Sequence, residues 1–151
     1  MKRLWTEDLD LKANLQKRMP KLAEKYFDEG RAALTSGTSW EEMHAFRLRT
    51  KRFRYTLETF RDLYGPGMED RIESLKKVQS YLGDINDCIV TSALLEDMDG
   101  MADVRKKLDE RANELTEKLR DYWSKAFDDA GAEKKWTQYL VSYACRRKSH
   151  G

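Results

Sequence analysis

A chain of 151 residues, 40 % of them hydrophobic, is the size of a single domain with a sizeable core. Two prolines and eight glycines beside 37 % charged residues favour long amphipathic helices, and 29 Lys and Arg against 27 Asp and Glu leave a net charge of +2, short of the strongly basic balance of a nucleic-acid-coating protein. No apolar run approaches the ~18 residues of a membrane span, the opening MKRLWTEDLD lacks the apolar segment of a secretory signal, and Cys88 and Cys145 fit neither a metal spacing nor a disulfide framework, so a cytoplasmic protein with reduced thiols is expected.

Residues 8–34 read as the first helix, with Leu11, Leu15, Met19, Leu22, Tyr26 and Ala33 at 3–4 spacing. Pro20 predicts a kink or a fresh helix start. Arg18, Lys21 and Lys25 form a basic edge beside the apolar stripe. Gly37 ends this helix, and Ser39 followed by Glu42 is a capping box that opens the next one just ahead of His44.

The stretch His44–Tyr64 is predicted to be one long central helix, closed by Gly65-Pro66-Gly67. It carries Arg47, Arg49, Lys51, Arg52, Arg54 and Arg61 against Glu58 and Asp62, so the net positive charge of the chain is concentrated here. At about 100° per residue, Phe46, Phe53, Leu57, Phe60 and Tyr64 fall on one core face. His44, Arg47, Lys51, Arg54 and Glu58 fall on a second stripe, while Arg49 and Arg52 lie off both. Like charges at i,i+3 and i,i+4 repel, and only Glu58 relieves this ladder. A solvated basic face is one reading. The sharper one is a phosphate-binding face, since Arg presents a planar fork of donors and Lys a point charge.

Residues 68–97 read as a third helix with Ile72, Leu75, Val78, Leu82, Ile85, Ile89 and Ala93 in the core and Lys76, Gln79, Gly83, Asn86 and Asp87 on its flank. Gly83 predicts close approach by a neighbouring helix, and Asn86 and Asp87 call for Arg or His partners on the central helix. Asp99-Gly100 turns the chain into a fourth helix built on Val104, Leu108, Ala112, Leu115, Leu119, Tyr122 and Ala126. After Gly131, Trp136, Tyr139, Leu140 and Tyr143 suggest a shorter fifth helix, followed by the frayed tail RRKSHG. No strand pattern and no long internal repeat is visible. The fold expected is an all-α antiparallel bundle of four long helices plus a short C-terminal one, in a single domain over residues 1–151.

The string His44-Ala-Phe-Arg47-Leu-Arg-Thr-Lys51-Arg52-Phe-Arg54-Tyr55 resembles the signature of the CHAD family, the conserved histidine α-helical domain. The string from Leu75 to Asp87, with Gln79, Leu82, Gly83, Asn86 and Asp87, is similar to its second motif, LxxxQxxLGxxND. The resemblance spans most of residues 8–127. It implies an all-helical domain, in full members two four-helix halves whose basic residues line a groove or pore that binds inorganic polyphosphate. This chain has one motif copy and resembles one half, closest to the C-terminal one. The polyphosphate-binding residues so implied are His44, Arg47, Lys51, Arg52, Arg54, Lys76 and Arg18, and the single copy implies a homodimer. Association with polyphosphate granules is implied too.

No nucleophile–His–acid set, HExxH motif or GxxxxGK[ST] loop is present, and no acidic metal cluster for phosphoryl transfer. The acidic run Glu96-Asp97-Met98-Asp99 reads as solvated. A binding protein without catalytic residues, metal or cofactor is therefore expected, with polyphosphate or another polyanion as partner and no membrane. Nucleic acid is an alternative ligand, disfavoured because the stripe is flanked by core aromatics, not by exposed stacking rings. Docking of an acidic protein is another. For a homodimer, contacts through Trp136, Tyr139 and Tyr143, or through Trp5 and Leu11, would leave two cationic stripes facing one groove that polyphosphate bridges.

Overall fold

The computed structural model describes residues 10–35 and 37–144; Trp5, Cys145 and the tail 146–151 lie outside the described residues. Five helices follow one another: α1 (Leu11–Ala33), α2 (Trp40–Thr59), α3 (Met68–Leu94), α4 (Ala102–Ala126) and α5 (Ala132–Ser142). No strand occurs among the described residues. Short connections make successive helices antiparallel neighbours. α1 packs on α2 and α5, α2 on α3, and α3 on α4.

The caps follow the local chemistry. The Asp10 carboxylate accepts from the Ala13 N–H at 2.7 Å, and the Ser39 hydroxyl from the Glu42 N–H at 3.3 Å. Glu41 and Glu42 add negative charge to the first turn of α2, where the helix dipole favours it. Gly67, at φ 104°, starts α3 in a conformation that a side chain would strain.

Pro20 does not divide α1, which runs unbroken from Leu11 to Ala33. Its ring is buried in the core, so packing offsets the lost backbone bond. The central helix is shorter than expected. It stops at Thr59, and a 3₁₀ turn over Arg61–Leu63 replaces its last turn. The Thr56 and Thr59 hydroxyls bond the carbonyls of Arg52 and Tyr55, a pattern that loosens a helix. Phe60 is consequently half-buried instead of buried, while Tyr64 is buried and donates to the Leu140 carbonyl at 3.1 Å. On α3, Ala93 is exposed and Cys88 and Ser92 are buried in its place, because the core stripe rotates toward α4 along the 27 residues of the helix. Nothing lies within 4 Å of a methyl group placed on Gly83, so no helix approaches closely there. Val104 is exposed at 43 %, since the start of α4 projects past the other helices.

The core is aromatic at its centre. Trp123 stacks on Phe127 with centroids 4.4 Å apart and meets Phe46 edge-on at 5.6 Å. Tyr26, Phe27, Phe53 and Trp136 complete the cluster. The Tyr26 and Thr50 hydroxyls share a buried hydrogen bond of 2.9 Å. α5 is held from both α1 and α3. Arg31 bonds Asp128 at 2.8 Å and Glu133 at 2.6 Å, while Arg71 lies 4.0 Å from the Tyr139 ring centroid and donates to the carbonyls of Gly67 and Lys135. Burial lowers the pKa of Arg71. Trp136 and Tyr139 are thus buried in the chain's own core, which leaves little of either side chain exposed for a contact between chains.

Two expectations follow. A methyl group at Gly30 would overlap the Trp123 indole. Gly30→Ala should therefore cost about 1–3 kcal/mol in urea unfolding, as overpacked cores do, with part of the loss recovered when Trp123→Phe is added. Burial pushes the Tyr139 phenol up to about 12 from 10.0. The fold favours the neutral ring, so its stability contribution is complete below pH 10 and is lost as pH rises through about 12. The urea midpoint should fall over that window, and Tyr139→Phe should flatten the fall.

Candidate anion-binding face

α2 presents its cations in two directions, because its core positions Met43, Phe46, Thr50, Phe53 and Leu57 point inward between α1 and α3. On the α3 side lie His44, Arg47 and Arg54, all half-buried, with Lys51 exposed beside them. From His44 to Arg54 the row covers about 15 Å at 1.5 Å per residue. The facing flank of α3 contributes Lys76, Gln79, Gly83 and Asn86 at helical spacing; its opposite flank, with Lys77 and Tyr81, packs on Tyr122 of α4.

The polar atoms along this seam are unevenly satisfied. His44 Nδ1, Arg47 Nε and Gln79 Oε1 are buried with no hydrogen-bond partner among the described residues. Such orphans cost about 1–3 kcal/mol each when they stay unmet. The His44 ring sits 6.0 Å from that of Trp40. Arg54 Nε and Glu58 Oε1 are likewise buried without a hydrogen bond but lie 3.3 Å apart as an ion pair, and the Arg54 guanidinium is 4.8 Å from the Tyr55 centroid. Lys51 Nζ approaches the same ring at 5.8 Å. Lys76 pairs with Glu73 at 3.4 Å.

Arg52 faces the other way. It borders a groove of about 290 Å³ between α1 and α2, with Leu22, Lys25, Glu29 and Arg49. Arg49 pairs with Glu29 there. Arg18 is on the same α1 edge as Leu22, Lys25 and Glu29, so it belongs to this seam and not to the row headed by His44. The seven residues singled out therefore divide into five on the α2–α3 side, His44, Arg47, Lys51, Arg54 and Lys76, and two on the α1–α2 side, Arg18 and Arg52. Asp87 is exposed and makes no ion pair with the cations of α2.

Tyr55 was not anticipated. Its ring is 48 % exposed among the cations, an available stacking surface where only core aromatics were expected. The sequence signal was its place one helical turn after Lys51, on the outward side of the stripe. Among the described residues, no three His, Cys, Asp or Glu side chains converge as a metal site would require, and no helix is long and apolar enough to cross a membrane.

No curated protein and no solved structure matches the chain. A family model, CHAD domain, matches residues 3–96, a span that takes in α1 to α3 and ends before α4, short of the residue 127 to which the resemblance extends. With more than half of its length matched, including the helix that carries His44 and the helix that carries Gln79, the chain belongs to the CHAD domain family.

Proposed function

We propose that the α2–α3 face binds inorganic polyphosphate. CHAD domains are associated with polyphosphate binding. The observation that carries the reading for this chain is the pair of buried nitrogens, His44 Nδ1 and Arg47 Nε, that have no hydrogen-bond partner among the described residues and sit on a row of cations. A chain of phosphates supplies acceptors at short, regular intervals and replaces the repulsion within the row by attraction. Arg47 and Lys51 carry no ion-pair partner among the described residues, and Arg54 gives up only Glu58. The role is binding without catalysis. Localisation in the cytoplasm, with polyphosphate granules, belongs to the same reading.

A second reading is single-stranded nucleic acid, favoured by Tyr55 alone: an exposed ring beside two cations, Lys51 and Arg54, can stack a base while its phosphates are neutralised. Competition at fixed salt between polyphosphate and single-stranded RNA separates the two. Tyr55→Ala should leave polyphosphate affinity nearly intact and weaken RNA.

Polyphosphate affinity should fall steeply with salt as neutralised phosphates release counterions. Arg47→Ala with Arg54→Ala should weaken it by roughly tenfold or more, at about 1.5–3 kcal/mol per charged hydrogen bond, with helicity unchanged by circular dichroism. Arg18→Ala with Arg52→Ala should do much less. An unchanged affinity in the first pair would move the site elsewhere.

Glu58 partly cancels Arg54. Glu58→Gln should therefore tighten polyphosphate binding several-fold and steepen its salt dependence, read by titration calorimetry at two ionic strengths.

A further inference from the structure

Seven large hydrophobic side chains are exposed among the described residues, and six gather on two surfaces. Val90, Leu94, Met98 and Val104 lie at the free end of the α3–α4 hairpin, Leu94 being 73 % exposed. Leu48 and Tyr55 lie on the outward side of α2, among the cations.

The charges of the two surfaces are opposite. Residues 78–104 contain Asp84, Asp87, Glu96, Asp97, Asp99 and Asp103 and no Lys, Arg or His. None of these six carboxylates belongs to an ion pair among the described residues. Residues 43–57 contain His44, Arg47, Arg49, Lys51, Arg52 and Arg54 and no acid. An acidic rim around apolar side chains, bounded on α4 by Arg105, Lys106 and Lys107, thus matches a basic rim around apolar side chains, bounded on α2 by Glu42 and Glu58.

The placement suits a reciprocal contact. The α3–α4 end stands clear of the rest: the Arg120 Nε donates to the Leu34 carbonyl, and Thr38 and Trp40 share a groove with Ile89, Asp109 and Ala112, so the turn between α1 and α2 lies level with the middle of α4. The first turns of α4 and the last turns of α3 project beyond it. Val90 and Leu94 continue, at helical spacing, the α3 flank of Lys76, Gln79 and Gly83 that runs beside the basic row. The two patches therefore lie on one side of the molecule, about 15 Å apart along α3. A twofold axis between them lays the end of each chain over the basic face of the other, burying both patches twice.

We propose that the chain pairs with a second copy in this way, the acidic, apolar α3–α4 end of each covering the basic α2 face of its partner. Pairing and polyanion binding then exclude each other. Polyphosphate opens the pair, where a shared groove would have it tighten the pair. This exclusion rests on the polyphosphate reading above; the pairing does not.

Light scattering of the full chain over roughly 1–500 µM, a span suited to transient interfaces, tests it. The expected result is a monomer–dimer equilibrium weakened by salt. Leu94→Ser, a change at an exposed site, should shift it at least several-fold toward monomer. Reversing the end (Glu96→Lys, Asp97→Lys, Asp99→Lys) or the face (Arg47→Glu, Lys51→Glu) should abolish pairing in either variant alone, and both sets together in one chain should restore it. Circular dichroism reports that each variant is folded. Added polyphosphate should convert dimer to monomer. A monomer at every concentration, a dimer indifferent to Leu94→Ser and to both reversals, or failure of the combined set to pair overturns the proposal. A dimer tightened by polyphosphate overturns it in favour of the shared groove. Pairing as described without any polyphosphate binding sinks the ligand reading and leaves the interface standing.

Discussion

The Trp123 indole lies across Gly30, where even a methyl group has no room. That close approach sets the distance between α1 and α4, which meet through side chains while α4 lays its backbone along α3. Phe27, Phe46 and Phe127 close around the same indole, so three more helix positions take their spacing from it. The indole N–H is buried without an acceptor, a cost of about 1–3 kcal/mol that the area of the ring repays several-fold in contact. With this centre in place α2 cannot rotate, and its cations can only emerge along the two seams beside it.

The helices were legible because amphipathic helices announce themselves by period. The stripes through Leu15, Met19 and Tyr26, through Phe46, Phe53 and Leu57, and through Ile72, Leu75, Val78 and Leu82 are all in the core. What the period does not contain is competition at the ends. Thr56 and Thr59 turn their hydroxyls back on the helix, and α2 gives way before its glycine stop. Trp123 and Phe27, the bulkiest pieces of the centre, escaped notice because each adjoins an aromatic, Tyr122 or Tyr26, that fits the 3–4 spacing just as well. Pro20 and Gly83 were read by their local cost, and tertiary packing decides otherwise in the first case and leaves open space in the second.

For the face, one helix was enough to gather His44, Arg47, Lys51 and Arg54, since that row is a property of α2 alone. Assigning Arg18, Arg52 and Lys76 needs the bundle's handedness: which neighbour lies left of α2 and which right. Periodicity is silent on that, and the structure separates Arg18 and Arg52 from the rest. Glu58, legible as the relief of the ladder, proves to be in ion-pair contact with Arg54.

The hairpin end that stands clear of the bundle has a dynamic consequence. Backbone amides near Leu94 and Ala102 are covered by one neighbouring helix at most, whereas those near Leu119 and Trp123 sit beneath the aromatic centre. Opening free energies therefore form a gradient along α3 and α4, low at the turn and approaching the global value at the other end. In hydrogen exchange the two helices of this hairpin would unzip from Asp99-Gly100 inward, and Arg105, bonded to the Ser92 carbonyl at 3.0 Å, is the first cross-link to resist.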